Sequence, residues 1–288
     1  MSKMKLNYKD DKKVITEENK DGTLVLTFPL LQETNLVKHG FSTRIGGVSE
    51  GMFSSMNLSF ARNDKEEHVR ENFQRFAKAI HINPQNMVFS DQTHTANVRI
   101  VTNKDRGKGY VKPCDYTDVD GLITNEPGIC LVTFYADCVP IYIVDPVKKV
   151  IALLHSGWRG TVGKIAQKAI WKMQEVYDSQ PEDMLGIVAP SICRACYEVD
   201  EVVVQQFDRA FDKGEMSQIL KQGECKGKYQ LDLWRANQYI LLNAGLKEEN
   251  INVTNLCTCC NSEILFSHRA SQGKRGNLAA FLALREEM

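Results

Sequence analysis

The centre of the chain carries three dense apolar runs, each shorter than a typical helix and rich in β-branched residues. They are ICLVTFYAD over 129–137, PIYIVD over 140–145 and VIALLH over 150–155. Runs of this length and composition predict strands that are buried on both faces. We therefore expect three neighbouring strands in the core of a sheet.

The rest of the chain alternates irregularly between helix and strand patterns. Apolar residues recur at helical spacing in four segments, namely 66–81, 162–176, 201–211 and 233–244. Strand patterns cover 23–31, 87–90, 97–102, 184–189 and 251–256. Residues 44–57, RIGGVSEGMFSSMN, predict a long loop. This order predicts an α+β fold, a single layered domain with mixed β-sheets flanked by helices.

A polar segment over 1–22 precedes these patterns. It is predicted to be frayed or to form an edge strand, with the ordered fold beginning at Thr23. A chain of 288 residues could hold two domains, but single domains of this length are common. We expect one domain over 23–288.

The charge balance restricts the partners of the protein. Lys and Arg number 36, as do Asp and Glu, so the formal net charge is zero. A neutral chain does not supply the basic surface that nucleic acid or an anionic membrane requires, although a local basic pocket could still hold a small anion. The first twenty residues contain no signal-like apolar stretch, and no later run approaches the ~18 apolar residues of a membrane span. We expect a cytoplasmic protein without an obligate protein partner.

Histidines and cysteines near strand ends are the first candidates for chemistry. Cys138 and His155 close two of the central runs, so their side chains could converge at one rim of a sheet. His94 lies in DQTHT, where a strand pattern gives way to a polar turn. In a reducing compartment cysteines are buried apolar residues, metal ligands or nucleophiles. From spacing alone, a buried thiol and a hydrogen-bonded histidine are the favoured explanation of Cys138 and His155, and a site is the alternative.

Seven segments, taken together and in order, resemble the laccase-domain family of zinc-dependent purine nucleoside phosphorylases, formerly labelled multicopper polyphenol oxidases. They run from His39 to Phe281 and comprise HGFSTRIGGVSEGMFSSMNL, DQTHTANV, DGLIT, YADCVPIYIVD, LLHSGWRGTVGKI, APSICRACYEV and FSHRASQGKRGNLAAF. The ADC and HSGWRG motifs are the most specific of these. The resemblance covers most of the chain.

The resemblance implies one zinc ion per chain, held by His94, Cys138 and His155, with copper as a possible substitute. Three protein ligands leave a fourth tetrahedral position for water or substrate, which is typical of catalytic sites. The family activity implied is phosphorolysis of adenosine, inosine, guanosine and methylthioadenosine to the base and ribose-1-phosphate. Adenosine deamination is implied as a second activity.

Phosphate binding requires positively charged side chains. Arg44 in the Ser/Gly-rich loop and Arg159 in HSGWRG are the candidates, while Arg269 and Arg275 match the closing motif of the family more loosely. Structural roles remain open for the first two, because Arg44 could stabilise its loop and Arg159 could cap the strand-to-helix turn.

Two aspartates are candidates for orienting a ligand histidine or moving a proton. Asp137 adjoins Cys138, and Asp120 follows a loop. Neighbouring strand residues point to opposite faces, which argues against Asp137 and Cys138 both facing a metal unless the strand ends there. We predict Asp137 and Arg44 as the catalytic residues.

The remaining cysteines do not match a familiar metal-binding spacing. Cys257, Cys259 and Cys260 lie in CTCC, which lacks the usual gap between ligands and has no evident paired cluster. In ICRACYEV the chain keeps Cys196 but has its other thiol at Cys193, where the family commonly has adjacent cysteines. We interpret these residues as buried or idle thiols.

Three other functions remain open. A laccase-type polyphenol oxidase needs more histidine ligands than six histidines supply, although copper in the zinc site could oxidise phenols adventitiously. A cysteine hydrolase would use Cys138 as nucleophile and His155 as base. A metal-binding or interaction scaffold without turnover is the third alternative.

Overall fold

The computed structural model describes residues 5–286 of the chain. Its strands, in chain order, are β1 (Thr16–Lys20), β2 (Thr23–Thr27), β3 (Val37–Ser42), β4 (Met87–Phe89), β5 (Val98–Ile100), β6 (Gly121–Thr124), β7 (Cys130–Tyr135), β8 (Val139–Asp145), β9 (Val150–Ser156), β10 (Leu185–Val188), β11 (Glu198–Asp200), β12 (Leu220–Gln222), β13 (Lys228–Leu231), β14 (Ile251–Val253) and β15 (Leu278–Leu284). Its α-helices are α1 (Pro29–Gln32), α2 (Glu66–Ala79), α3 (Trp158–Val162), α4 (Ile165–Tyr177), α5 (Glu201–Ala210), α6 (Lys213–Ile219), α7 (Leu233–Asn243) and α8 (His268–Ser271).

Two six-stranded sheets form the centre of the molecule. The first has the order β1-β2-β3-β15-β7-β4, and the second has the order β14-β10-β8-β9-β6-β5. A third, smaller sheet has three strands in the order β11-β13-β12. Both large sheets are mixed, because β4 pairs with β7, β5 with β6 and β10 with β14 in parallel while their other pairings are antiparallel.

The two large sheets pack face to face, and helices cover their outer faces. Phe41 of the first sheet and Tyr142 of the second belong to the core between the sheets. Helix α2 packs Phe73 and Phe76 against Phe281 of β15. Helices α4 and α7 cover the second sheet on its other side. The layers confirm the predicted α+β class with mixed sheets flanked by helices.

Burial on both faces explains the dense apolar runs. Along β9, Val150, Ala152 and Leu154 face the helical layer, whereas Ile151 and Leu153 face the other sheet. Successive side chains of a strand point to opposite faces, so a strand between two apolar layers has no polar position. The three runs are strands, as predicted.

The expectation that all three runs are neighbours is wrong for the first run. Strand β7 pairs with β15 and β4 in the first sheet, whereas β8 and β9 pair with each other in the second. A strand with two apolar faces fits either sheet equally well, so its composition did not reveal its partners. The Tyr135 hydroxyl at the end of β7 joins the sheets by donating to the Leu154 carbonyl oxygen, 2.9 Å away.

The predicted helices are found with small changes of boundary, and the loop over 44–57 contains no strand. The helix predicted to begin at Val162 is divided, because Lys164 adopts a left-handed conformation with φ 53° and α4 begins after it. Ordered structure begins before Thr23, since β1 forms an edge strand on β2 and Leu6 is buried. Among the described residues, no helix is both long and apolar enough to cross a membrane.

Candidate metal centre

Three side chains converge at one end of the second sheet. One ligand atom from each of His94, Cys138 and His155 lies within 4.8 Å of the others. Cys138 Sγ is 3.9 Å from His94 Nε2, and the two imidazole rings are nearly perpendicular with centroids 5.0 Å apart. Two imidazoles and a thiolate are ligands that Zn²⁺ accepts in tetrahedral sites, and they leave the fourth position open. The donor set therefore fits a catalytic zinc ion.

The antiparallel pairing of β8 with β9 explains this convergence. Pro140 lies opposite His155 and Val139 lies opposite Ser156, so the residue just before β8 is beside the end of β9. Cys138 occupies that place. The two residues come together because Cys138 precedes β8, and not because it closes a strand next to β9.

Asp120 holds both histidines of the group. Its carboxylate is fully buried, and Oδ1 lies 2.7 Å from His155 Nδ1 and accepts the His94 backbone N–H at 3.1 Å. Oδ2 accepts both the backbone N–H and the hydroxyl of Thr95, each at 2.8 Å. A carboxylate on Nδ1 directs Nε2 of a ligand histidine toward the metal and raises its basicity. Of the two predicted aspartates, Asp120 is the one that orients a histidine.

Gly157 leaves space for the three side chains. A Cβ atom at this position would lie 3.1 Å from Cys138 Sγ and 3.1 Å from His94 Cδ2. The backbone φ of Gly157 is −70°, which any residue can adopt, so glycine is required here by space and not by conformation. The glycine of HSGWRG thus lets the chain pass close to the ligand atoms.

The thiol and the buried imidazole stabilise each other's charged forms. Burial raises the pKa of the Cys138 thiol, but the charges and hydrogen bonds of His155 and His94 outweigh it and lower the pKa to about 6. Burial lowers the pKa of His155, whereas Cys138 and Asp120 raise it to about 9. The thiolate, which is both the metal ligand and the nucleophilic form of cysteine, is therefore favoured at neutral pH.

The group lies in a cavity of about 690 Å³. Phe134, Ile192 and Tyr197 provide apolar wall, and Arg62 and Arg275 also line it. Apolar walls with a few charged groups are typical of small-molecule sites.

Arg275 carries an unpaired donor at this cavity. One nitrogen of its guanidinium donates to Gly276 O and Asn277 Oδ1, but its buried Nε has no hydrogen-bond partner among the described residues. Burial and the charge of Arg62 lower the pKa of Arg275 to about 10. Two cations facing one space favour an anion between them.

Asp137 lines the cavity, but its carboxylate already has partners. Oδ1 accepts from the Thr258 hydroxyl at 2.6 Å and Oδ2 from the Arg269 backbone N–H at 2.7 Å. The residue has φ 91°, because the chain turns there from the first sheet to the second. The guanidinium of Arg269 donates to the carbonyl oxygens of Cys196 and Glu198 at 3.1 and 3.0 Å.

Arg44 and Arg159 are not among the described residues that line the cavity. The Arg44 guanidinium donates to the carbonyl oxygens of Ser54 and Ser262 at 2.7 and 2.8 Å and lies over the Phe266 ring. These contacts match the loop-stabilising role that the sequence left open. Arg159 is exposed and stacks on the Trp158 ring. The use of both arginines for phosphate stays a prediction.

Sequence reasoning missed Arg62 and His268, which line the cavity. Arg62 follows the Ser/Gly-rich loop in SFARND, where nothing distinguishes it from a surface arginine. His268 lies in FSHRAS, part of the closing motif of the family resemblance, in which only the arginines were considered as candidate site residues.

The interpretation of the remaining cysteines as an unpaired cluster is wrong. The thiols of four cysteines lie within 4.8 Å of one another, namely Cys193, Cys196, Cys257 and Cys260. The sequence does contain two Cys-x₂-Cys pairs, Cys193 with Cys196 and Cys257 with Cys260. Only the fold shows that segments 64 residues apart meet.

Comparison with known proteins places these observations in a family. A family model described as multi-copper polyphenol oxidoreductase laccase matches residues 38–285. Purine nucleoside phosphorylase YlmD of Bacillus subtilis is 38% identical over 258 residues, covering 88% of this chain and 91% of that protein. A purine nucleoside phosphorylase of Bacteroides thetaiotaomicron is 32% identical over 261 residues, covering 88% and 94%.

A solved structure has the same fold. The crystal structure of YlmD from Geobacillus stearothermophilus superposes with a TM-score of 0.87 at 35% identity, covering 95% of this chain and 99% of that one. The likeness in fold agrees with the likeness in sequence. The chain belongs to the laccase-domain family, whose model carries the polyphenol oxidoreductase description and whose relatives compared here are named purine nucleoside phosphorylases.

Proposed function

We propose that the protein is a zinc-dependent purine nucleoside phosphorylase with adenosine deamination as a second activity. Adenosine, inosine, guanosine and methylthioadenosine would be cleaved to the base and ribose-1-phosphate. The observation that carries the proposal is the open-sided group of His94, Cys138 and His155 in a cavity that also has two arginines. The names of the relatives agree with the phosphorylase activity.

The ligand set supports zinc. His94, Cys138 and His155 would hold the ion, Asp120 would fix the orientation of His155, and Gly157 gives the group room. A zinc ion bound there would supply a Lewis acid and an activated water in the cavity.

Arg62 and Arg275 are our proposal for the phosphate site. In phosphorolysis the bond between C1′ and the base nitrogen breaks, and a phosphate oxygen forms a new bond to C1′. The base leaves with the electron pair and takes up a proton. Guanidinium groups hold phosphate through charge-assisted hydrogen bonds, and the buried Nε of Arg275 is a donor without a partner among residues 5–286.

The apolar wall supports a purine ring as the other half of the substrate. Phe134 and Tyr197 offer aromatic surface on which a base can pack. Asp137 remains our candidate for proton transfer, because each carboxylate oxygen has two lone pairs and each accepts one hydrogen bond in the structure. In deamination, water adds at C6 of adenine and ammonia leaves.

The test is to incubate the zinc-loaded protein with adenosine, with and without phosphate, and to separate adenine, inosine and ribose-1-phosphate. We expect ribose-1-phosphate only when phosphate is present, in an amount equal to adenine plus hypoxanthine because inosine is itself a proposed substrate, and we expect inosine in either case. His155→Ala is the control and should abolish both products. Free ribose in place of ribose-1-phosphate, or no turnover of any purine nucleoside, would contradict the proposal.

A laccase-type oxidase is not favoured by the distribution of histidines. Within residues 5–286, only His94 and His155 join a candidate metal group. His39 is buried and accepts the Phe28 backbone N–H, while His81 follows the end of α2. Metal analysis of protein isolated without added copper distinguishes a zinc enzyme from a copper enzyme.

A cysteine hydrolase is favoured by one observation, the stabilised thiolate of Cys138 beside His155. The two mechanisms differ in their response to a chelator. If chelation abolishes turnover and leaves Cys138 open to alkylation, the thiolate serves as a ligand. If the chelated protein keeps its activity and alkylation removes it, Cys138 is the nucleophile.

A further inference from the structure

Four cysteines form a second candidate metal site outside the group of His94, Cys138 and His155. Cys193 and Cys196 come from the turn before β11, and Cys257 and Cys260 come from the segment after β14. Their Sγ atoms all lie within 4.8 Å of one another. A parallel bridge between Ser191 and Cys257 brings the two segments together. We call these four residues the cysteine quartet.

The spacing of the quartet matches a structural zinc site. Each segment contributes a Cys-x₂-Cys pair, which is the common ligand spacing of tetrahedral four-cysteine sites. Two zinc–sulfur bonds of about 2.3 Å at a tetrahedral angle separate the sulfurs by roughly 3.8 Å. Cys196 Sγ and Cys260 Sγ are 3.4 Å apart. In an iron–sulfur cluster, iron and sulfide ions stand between thiolates, so a quartet this compact favours a single ion.

Hydrogen-bond donors contact two of the four sulfur atoms. Cys257 Sγ accepts the backbone N–H groups of Cys193 and Cys260 at 3.2 and 3.4 Å. The Lys9 ammonium donates to Cys260 Sγ at 3.1 Å. Four thiolates around one Zn²⁺ leave a net charge of −2, and donors of this kind stabilise it.

We propose that the cysteine quartet binds a second zinc ion with a structural role. Four protein ligands complete the tetrahedron and leave no position for substrate, in contrast to the three-ligand group in the cavity. The proposal does not depend on the proposed function, because the quartet would hold its ion whatever reaction the cavity performs.

The position of the quartet suits an ion that stabilises one wall of the cavity. Thr258, next to Cys257, donates to the Asp137 carboxylate, and the Arg269 guanidinium donates to the Cys196 carbonyl oxygen. Asp137 and Arg269 both line the cavity. A zinc ion joining the two cysteine segments would therefore hold this wall of the cavity in place.

The experiment counts zinc in protein purified under reducing conditions without added metal. Elemental analysis should give about two zinc ions per chain for the wild type, one for Cys138→Ala/His155→Ala and one for Cys257→Ser/Cys260→Ser. Cys225→Ser is the matched control, because this exposed cysteine belongs to neither group among the described residues, and it should keep both ions.

Cobalt substitution in the Cys138→Ala/His155→Ala background is the second measurement. It isolates the quartet without relying on a variant of the quartet that could fail to fold. We expect the intense thiolate-to-cobalt charge-transfer bands of a tetrahedral four-sulfur site. Thiol titration of the denatured, unreduced wild-type protein should detect all nine cysteines.

Three results would overturn the proposal. One is a Cys138→Ala/His155→Ala variant without zinc that takes up no cobalt with thiolate bands. Another is iron in place of zinc in that variant. The third is a titration deficit of two or more thiols that the Cys257→Ser/Cys260→Ser variant does not show, which would mean that the quartet is closed by disulfide bonds and not by a metal.

Discussion

Asp120 Oδ1 lies 2.7 Å from His155 Nδ1, and both groups are buried at the end of β9. The same carboxylate accepts backbone N–H groups of the turn that carries His94. One residue therefore sets the ring orientation of one candidate ligand and the backbone position of another. No sequence motif joins Asp120 to either histidine.

We expect Asp120→Asn to weaken zinc binding by 10- to 100-fold, because the neutral amide loses the charge that supports His155 and turns an N–H₂ group toward the donors of Thr95. Competition with a chromophoric chelator measures this affinity. Asp118→Asn is the control, since Asp118 accepts from Thr93 in the same turn without contacting His155. Equal zinc affinity in the two variants would show that the carboxylate does not support the site.

Gly157→Ala should weaken metal binding while preserving the fold. The added Cβ would lie 3.1 Å from both Cys138 Sγ and His94 Cδ2, so both side chains must shift away from it by a few tenths of an ångström. We expect a loss of zinc and at least a 10-fold fall in kcat/KM, measured beside the far-ultraviolet circular dichroism spectrum. Gly214→Ala on α6 is the comparison, because its Cβ meets only the Asp212 side chain. Full zinc occupancy in Gly157→Ala would refute the steric explanation.

Arg275→Gln should raise the KM for phosphate by 10- to 100-fold, since charge-assisted hydrogen bonds contribute about 1.5–3 kcal/mol. The KM for nucleoside should change much less. Arg44→Gln is the matched control, because Arg44 bonds Ser54 and Ser262 and does not line the cavity. We expect it to lower stability and to leave the KM for phosphate unchanged. If Arg44→Gln raised the KM for phosphate and Arg275→Gln left it unchanged, Arg44 and not Arg275 would be the phosphate ligand.

His39 should make the stability of the protein depend on pH. Burial lowers its pKa from 6.5 to about 4, and its Nε2 accepts the Phe28 backbone N–H at 2.9 Å. Between these two values the unfolded chain binds more protons than the folded chain, so stability is fully present above pH 6.5 and falls as the pH is lowered toward 4. The loss should reach about 2 kcal/mol at pH 5.

Urea unfolding at about pH 7 and about pH 5 measures this effect, with His39→Gln as the comparison. Glutamine can place an acceptor near the position of Nε2 and does not titrate, so its stability should change less over the same interval. The metal ligands are the same in both proteins, and their contribution cancels in the difference. Identical pH dependence would mean that His39 titrates normally in the folded protein.

Periodicity along the chain was sufficient to predict four of the eight α-helices among residues 5–286, namely α2, α4, α5 and α7. Residues such as Phe73 and Phe76 of α2 repeat at helical spacing because one face of the helix packs on a sheet. The core strands β7, β8 and β9 were equally evident, since burial on both faces removes polar positions, whereas β3, β6 and β15 were not predicted. The sheet that β7 joins was not evident, because the apolar residues of a strand buried on both faces do not indicate which strand pairs with it.

In the candidate site, too, some features could be predicted from the sequence and others depend on the tertiary structure. The motifs around His94, Cys138 and His155 were sufficient to predict a candidate metal group and to identify a family. Tertiary structure decided the surroundings, because the support from Asp120, the cavity position of Arg62 and the meeting of four cysteines all join residues far apart in the chain. Local sequence determines what a segment can form and which atoms it can offer. Which of those atoms meet depends on how the two sheets pack, and that packing is a property of the whole chain.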